Sequence, residues 1–442
     1  MCLLIFSTTA CQRELTCNLD KAGILDAPVK SSSSKGELFI REIGFFIDAT
    51  ESMKGFATAA KRSPQASSYH DLMRSLENSI QGLSTNSTIH KYKFGENIIK
   101  LDDNSRLNDI AINEEFYISQ EIGQETQIQN LFEGETSSSQ EKYILEGGNV
   151  LSVIVTELFQ QGTDFGLLSD ALAPYITRGA SVGLLGVSSE FSGKIFDYSG
   201  DPNANFDYPG VRPVYALIVG EAENILHYFN LLKINSQNLR QNSKFTIFSN
   251  QIFRKETNFF QTNPFNVENL VPLGFRSIND FSFRWKDSTK SASFTTCSEN
   301  PKPFSEDVAG YQKVTEFEKD VTVKKIGDEA KSNHVDNSSI TVNELDIGKE
   351  SKCSKPNASK AQNLLGLRTT IEKNDWQGNY LIDTAFKPNL NNYPSKWDEW
   401  STDNVKDNPS KTLNLTELIK LIYSVIVREY KPEIRMTFCI NK

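Results

Sequence analysis

From Ile43 to Ile47 every position is apolar or glycine, and the run then breaks on Asp48, Thr50 and Ser52, polar at every second position. A short Phe- and Ile-rich run of this kind suits a strand buried on both faces of a sheet. Leu72, Met73, Leu76 and Ile80 follow at helical spacing, one face inward. Thr88 to Gly95 then alternates, with an edge partner at Ile98–Leu101. A helix is expected from Thr126 through Phe132, a buried strand over 149–158, a helix over 164–176 and a fourth central strand over 180–187. A fifth strand over 212–220 and a helix over 221–232 close the unit. Strand–helix–strand succession is the rhythm of a parallel sheet. It predicts an α/β, doubly wound, mostly parallel domain over 38–232.

From Lys233 the rhythm changes. Ser243–Phe248, Phe281–Trp285, Ser291–Thr295 and Asn379–Phe386 alternate apolar and polar, as half-buried antiparallel strands do. The expectation for 233–442 is a β-rich α+β companion domain carrying a polar insertion at about 324–360. Leu418, Ile419, Ile422, Val425 and Ile426 define an amphipathic helix over 414–428, expected to pack on the β-rich part. Trp397 and Trp400 read as core residues.

Composition narrows the function classes. With 38% hydrophobic and 23% charged residues the chain can bury a core, which excludes a disordered class. A formal net charge of -9, with no Lys/Arg cluster, argues against a nucleic-acid partner. No apolar run is long enough to span a bilayer. The four His are scattered and the six Cys form no C-x-x-C pair, so a soft metal site is not expected. Cys297 and Cys353 could pair in an oxidising compartment.

The oxygen chemistry is concentrated behind the first strand. Open α/β sheets place ligand sites beyond the carboxyl ends of their strands, where Asp48, Thr50 and Ser52 offer one carboxylate and two hydroxyls. Such a set suits Mg²⁺, or Mn²⁺ or Ca²⁺. The same residues are also common helix caps. Asp48-Ala49-Thr50-Glu51-Ser52 resembles the Asp-x-Ser-x-Ser motif of the metal-ion-dependent adhesion site in von Willebrand factor A domains. The resemblance implies a second motif, a lone Thr on another loop, for which Thr126 stands in the expected place. It implies a third, an acid after another buried strand, and Thr156-Glu157 supplies it where the family has Thr-Asp-Gly. The longer Glu157 side chain would reach the ion differently, and Leu158 replaces the glycine. The Ser188–Gly193 segment is expected as a loop on the same rim.

The resemblance thus implies a divalent cation, Mg²⁺ (or Mn²⁺ or Ca²⁺), held by Asp48, Thr50, Ser52, Thr126 and Glu157, with a protein partner completing its shell through an acidic side chain. Two other readings stand beside it: a scaffold in an envelope assembly that binds no metal, and a metal-dependent phosphohydrolase using Asp48 or Thr50. Residues 1–11, an apolar run ending Ala10-Cys11, resemble the end of a bacterial lipoprotein signal. That resemblance implies lipidation of Cys11, a tether over 12–37 and a cell-envelope protein held at the membrane by its lipid alone.

Overall fold

The computed structural model describes residues 40–441 apart from 84–86, 119, 124, 134–142, 145–146, 148, 159–163, 197–204, 251–264, 278–279, 287–288, 300–304, 306, 310–316, 327–339, 346–363, 373–378, 389–392 and 430–433. Cys11, the tether over 12–37 and Cys353 lie outside the described residues.

Seven strands form the principal sheet: β1 (Glu42–Asp48), β2 (Thr88–Phe94), β3 (Ile98–Lys100), β4 (Val150–Thr156), β5 (Ser181–Ile195), β6 (Phe206–Gly220) and β7 (Ser243–Phe248). Their spatial order is β3-β2-β1-β4-β6-β5-β7. β1 pairs in parallel with β2 on one side and β4 on the other. Both flanks and both faces of β1 are covered, so it tolerates no polar residue before Asp48 except at its entry.

The α/β class is as expected, but parallel pairing is confined to this centre. β3 and β2, β4 and β6, β5 and β6, and β5 and β7 all pair antiparallel. A parallel neighbour needs a crossover of a dozen or more residues, usually a helix. Only residues 196–205 separate β5 from β6, too few for such a crossover. The Ser188–Gly193 segment, expected as a loop, instead continues β5, and the two strands run as a hairpin from Ser181↔Gly220 to Ile195↔Phe206. Its distal half extends past the ends of β4 and β7, above the rim where β1 terminates.

Helices α1 (Lys54–Arg62), α2 (Ser68–Leu83), α3 (Leu107–Ile110), α4 (Asn130–Glu133), α5 (Asp164–Thr177), α6 (Ala222–Asn235) and α7 (Gln237–Asn242) connect these strands. A Cβ on Gly183 would meet Ile225 and Phe229 of α6, and one on Gly186 would meet Trp397 and Trp400. Residues an odd number apart on a strand face opposite ways, so the sheet is covered on both faces. The second cover is C-terminal. Trp397, fully buried, donates its Nε1–H to Thr246 Oγ1 of β7 at 2.9 Å, and Tyr215 of β6 meets Thr412 at 2.9 Å.

The second region contains β8 (Phe265–Glu268), β9 (Leu270–Ser277), β10 (Asp280–Trp285), β11 (Ser291–Glu299), β12 (Phe317–Ile326), β13 (Ile340–Leu345), β14 (Leu364–Glu372) and β15 (Asn379–Pro388). Then come the short β16 (Ser401–Thr402) and β17 (Thr412–Leu413), α8 (Leu415–Glu429) and β18 (Ile434–Asn441). One sheet has the order β12-β15-β18-β10-β9 and another β13-β14-β11-β8. Phe283 of β10 stacks on Phe294 of β11, centroids 4.8 Å apart, which joins the two sheets.

Three expectations are corrected here. The principal sheet does not close at residue 232, because β7 hydrogen-bonds to β5. Among the described residues helix α8 packs chiefly against α5 of the principal domain, with smaller contacts to β7, β16 and the Ser395–Trp400 turn, and it buries Leu418, Ile419, Ile422 and Ile426. Within the expected polar insertion, Ile340–Leu345 pairs with β14, its Ile340–Val342 alternation outweighing the polar surroundings.

Candidate metal centre

Asp48 is the last residue of β1, completely buried where the strand leaves the sheet. Its Oδ1 accepts from the Thr50 N–H at 3.1 Å and the Thr50 hydroxyl at 2.7 Å. Its Oδ2 accepts from the Thr126 hydroxyl at 3.0 Å and the Thr156 hydroxyl at 2.8 Å. Thr50 Oγ1 also lies 3.0 Å from Ser52 Oγ and 3.1 Å from Thr126 Oγ1. Four of the five residues expected at the site therefore converge on one point, from loops far apart in sequence.

The capping alternative fails for Thr50. It stands at the cap position of the short 3-10 turn Glu51–Met53, yet its side chain makes no capping hydrogen bond; its hydroxyl is committed to Asp48. Nor does Thr126 open a helix: α4 begins at Asn130. Thr126 is placed by the Gly95 loop, where Glu96 and Asn97 N–H donate to Ile122 C=O and the Gln127 N–H donates to Gly95 C=O. A Cβ on Gly95 would come within 2.9 Å of the Ile122 carbonyl oxygen, so the loop needs glycine to bring Thr126 this close.

Glu157 is placed differently. It is buried, and its carboxylate faces Arg212 of β6, Nη2 to Oε2 3.6 Å. Thr156 takes the position on Asp48. Side chains alternate along a strand, so β4 turns only one of this adjacent pair toward Asp48. Thr156 also accepts from the Leu158 N–H at 3.2 Å, linking its hydroxyl to the following turn. Leu158 adopts φ 55°, the left-handed region natural to glycine, which costs a non-glycine residue about 1–2 kcal/mol.

Burial pushes the Asp48 carboxyl up to about 6, opposed by the Thr50 and Thr156 hydrogen bonds and reinforced by the charge of Glu157. Nearby, the buried phenols of Tyr69 and Tyr117 share a 2.6 Å hydrogen bond and are held protonated by burial and the Asp48 charge.

Proton counting exposes what the cluster lacks. Thr50, Ser52 and Thr126 each own one hydroxyl proton. Those three must serve four contacts: Thr50 to Asp48, Thr126 to Asp48, Thr50 to Ser52 and Thr50 to Thr126. One pair of oxygens is left facing without a proton while Asp48 is ionised. A proton on Asp48 relieves this, and so does a cation bound by the lone pairs.

The spacing fits such an ion. Octahedral Mg²⁺ with ligands at about 2.0–2.1 Å places adjacent oxygens about 2.9 Å apart, whereas Ca²⁺ at about 2.3–2.6 Å spreads them further. The contacts among Asp48, Thr50, Ser52 and Thr126 span 2.7–3.1 Å, a range that ion-ligating oxygens share with ordinary hydrogen bonds. Among the described residues no three His, Cys, Asp or Glu side chains cluster as a metal group. The oxygens brought together here are instead one carboxylate and the hydroxyls of Thr50, Ser52, Thr126 and Thr156.

Sequence reading missed Thr156 as the partner of Asp48, and Arg212 altogether. The first was legible in the alternation of β4; the second had no local signal. No family model matches the chain, and no curated protein or solved structure is found similar to it.

Proposed function

We propose that this chain is a divalent-cation-dependent protein-binding module of the von Willebrand factor A type, serving adhesion or assembly. The observation that carries the reading is the convergence of the Asp48 carboxylate with the Thr50, Ser52 and Thr126 hydroxyls at 2.7–3.1 Å, with one proton too few. The finer fold reading is supported by a central parallel β1 flanked by β2 and β4, helices on both faces, and a glycine-type turn at Leu158. Asp48, Thr50, Ser52 and Thr126 would hold Mg²⁺, directly or through water. Thr156 orients Asp48 from behind.

A bound cation supplies positive charge able to attract an acidic side chain of a protein partner. The chain's own part is to hold four oxygens in place before any ion arrives, limiting the reorganisation that binding requires. Attachment through a lipidated Cys11 would set this module at the membrane surface of the cell envelope. No described helix is long and apolar enough to cross a membrane.

The scaffold reading is favoured by one specific observation: Glu157 faces Arg212 and not the Asp48 cluster. Calorimetric titration of Mg²⁺ and Mn²⁺ into wild type and Asp48→Ala separates the two. Binding that is lost in the variant supports the module, and absence of binding in the wild type selects the scaffold. Metal-dependent turnover of a generic phosphate ester would instead select the hydrolase. Retention of a Cys11→Ala variant in the membrane fraction would overturn the lipid anchor.

A further inference from the structure

We infer that Arg212 is the positioning residue that holds Glu157 off the cation, leaving Asp48 as its sole carboxylate ligand and the loaded site with a net positive charge. The inference rests on the cation-binding reading above and specifies what that site selects.

Arg212 lies on β6 at 2% exposure, among the largest fully buried side chains. Its guanidinium sits over the Phe191 ring at 5.4 Å and faces Glu157 at 3.6 Å. Among the described residues its Nε and Nη1 have no hydrogen-bond partner. Among the described residues Glu157 is the only carboxylate paired with it. A buried cation so poorly hydrogen-bonded depends on its counter-charge, and removing one partner of a buried pair is far more costly than removing both. If Glu157 moved to a metal ion, Arg212 would be stranded.

The charge count gives the consequence. Asp48 and Glu157 bring two negative charges, Arg212 one positive, and a divalent ion two positive. The loaded centre is then monocationic in a buried setting, which selects one anionic group such as a carboxylate. With Glu157 as a second ligand and no Arg212 the centre would be neutral and have no such preference.

The test uses the intact chain and Mg²⁺ alone, titrated calorimetrically, with folding checked by circular dichroism. In Arg212→Met, Glu157 is released and Mg²⁺ should bind about tenfold tighter or more, since an added carboxylate ligand strengthens a hard-cation site. In the charge-balanced Glu157→Gln/Arg212→Met variant, affinity should stay within about threefold of wild type. A double variant weakened more than about tenfold would mean Glu157 is itself a ligand and overturns the inference. So does a folded Arg212→Met protein with unchanged or weaker binding. If that single variant does not fold, the double variant decides alone. Failure of wild type to bind Mg²⁺ overturns the underlying reading as well, and is thereby distinguished from failure of the inference.

Discussion

Replacing Asp48 by Asn keeps the shape of the side chain and removes its titration. In the folded protein the Asp48 carboxyl is pushed from its ordinary 3.8 up to about 6 by burial. The fold therefore favours the protonated form. The stability this confers is complete below the unfolded value and is lost as pH rises through the folded one. The full swing is about 3 kcal/mol, from 1.36 kcal/mol per pKa unit; Asp48 is completely buried, so solvent does not dilute it.

Across the practical window from pH 4.5 to 7.5, about 2 kcal/mol of it should be visible. Urea denaturation of wild type and Asp48→Asn, with a chelator present, measures it. Their stability difference should move by about 2 kcal/mol in favour of the variant as pH rises. Taking the difference cancels every titrating group not coupled to Asp48, and any fixed cost of the amide is a constant offset. Mg²⁺ should reverse the trend in wild type alone, because only the ionised carboxylate ligates. Affinity at pH 5 should be about tenfold weaker than at pH 7.5. A stability difference that stays flat with pH would refute the assignment of Asp48 as a buried, frustrated carboxylate.

Thr156→Val removes the hydroxyl that donates to Asp48 Oδ2 and accepts from Leu158 N–H; it should destabilise by about 1–3 kcal/mol in urea denaturation, and no change would sink its supporting role. Gly193→Ala would set a Cβ 2.7 Å from the Gly55 backbone, prising the β5–β6 hairpin off α1 at a cost of about 1–3 kcal/mol, again read by denaturation. Wild-type stability there would mean the hairpin does not pack so closely. Trp397→Ala deletes the side chain that covers Gly186 and bonds Thr246, and should cost about 3–5 kcal/mol. A loss below about 1 kcal/mol would contradict the placement of the C-terminal segment on the principal sheet.

Elements whose burial is local can be read from the residue pattern alone. Continuous apolar runs marked β1 and β4, helical spacing marked α2 and α8, and the break after Ile47 marked where oxygen-bearing side chains leave the sheet. Asp48, Thr50 and Ser52 were legible because three residues on one turn cannot be far apart. Thr126 was legible only through a resemblance that orders the loops. What the tertiary structure alone decided is which distant pieces meet. A strand's pattern reports how deeply it is buried, not which neighbour covers it. The antiparallel insertion of β6 beside β4, the docking of α8 on α5 and the partner of Glu157 therefore had no local signature. Arg212 reads as an ordinary strand-entry residue until β6 folds back along β5. Only then does its charge lie against Glu157, and only long-range pairing fixes that distance.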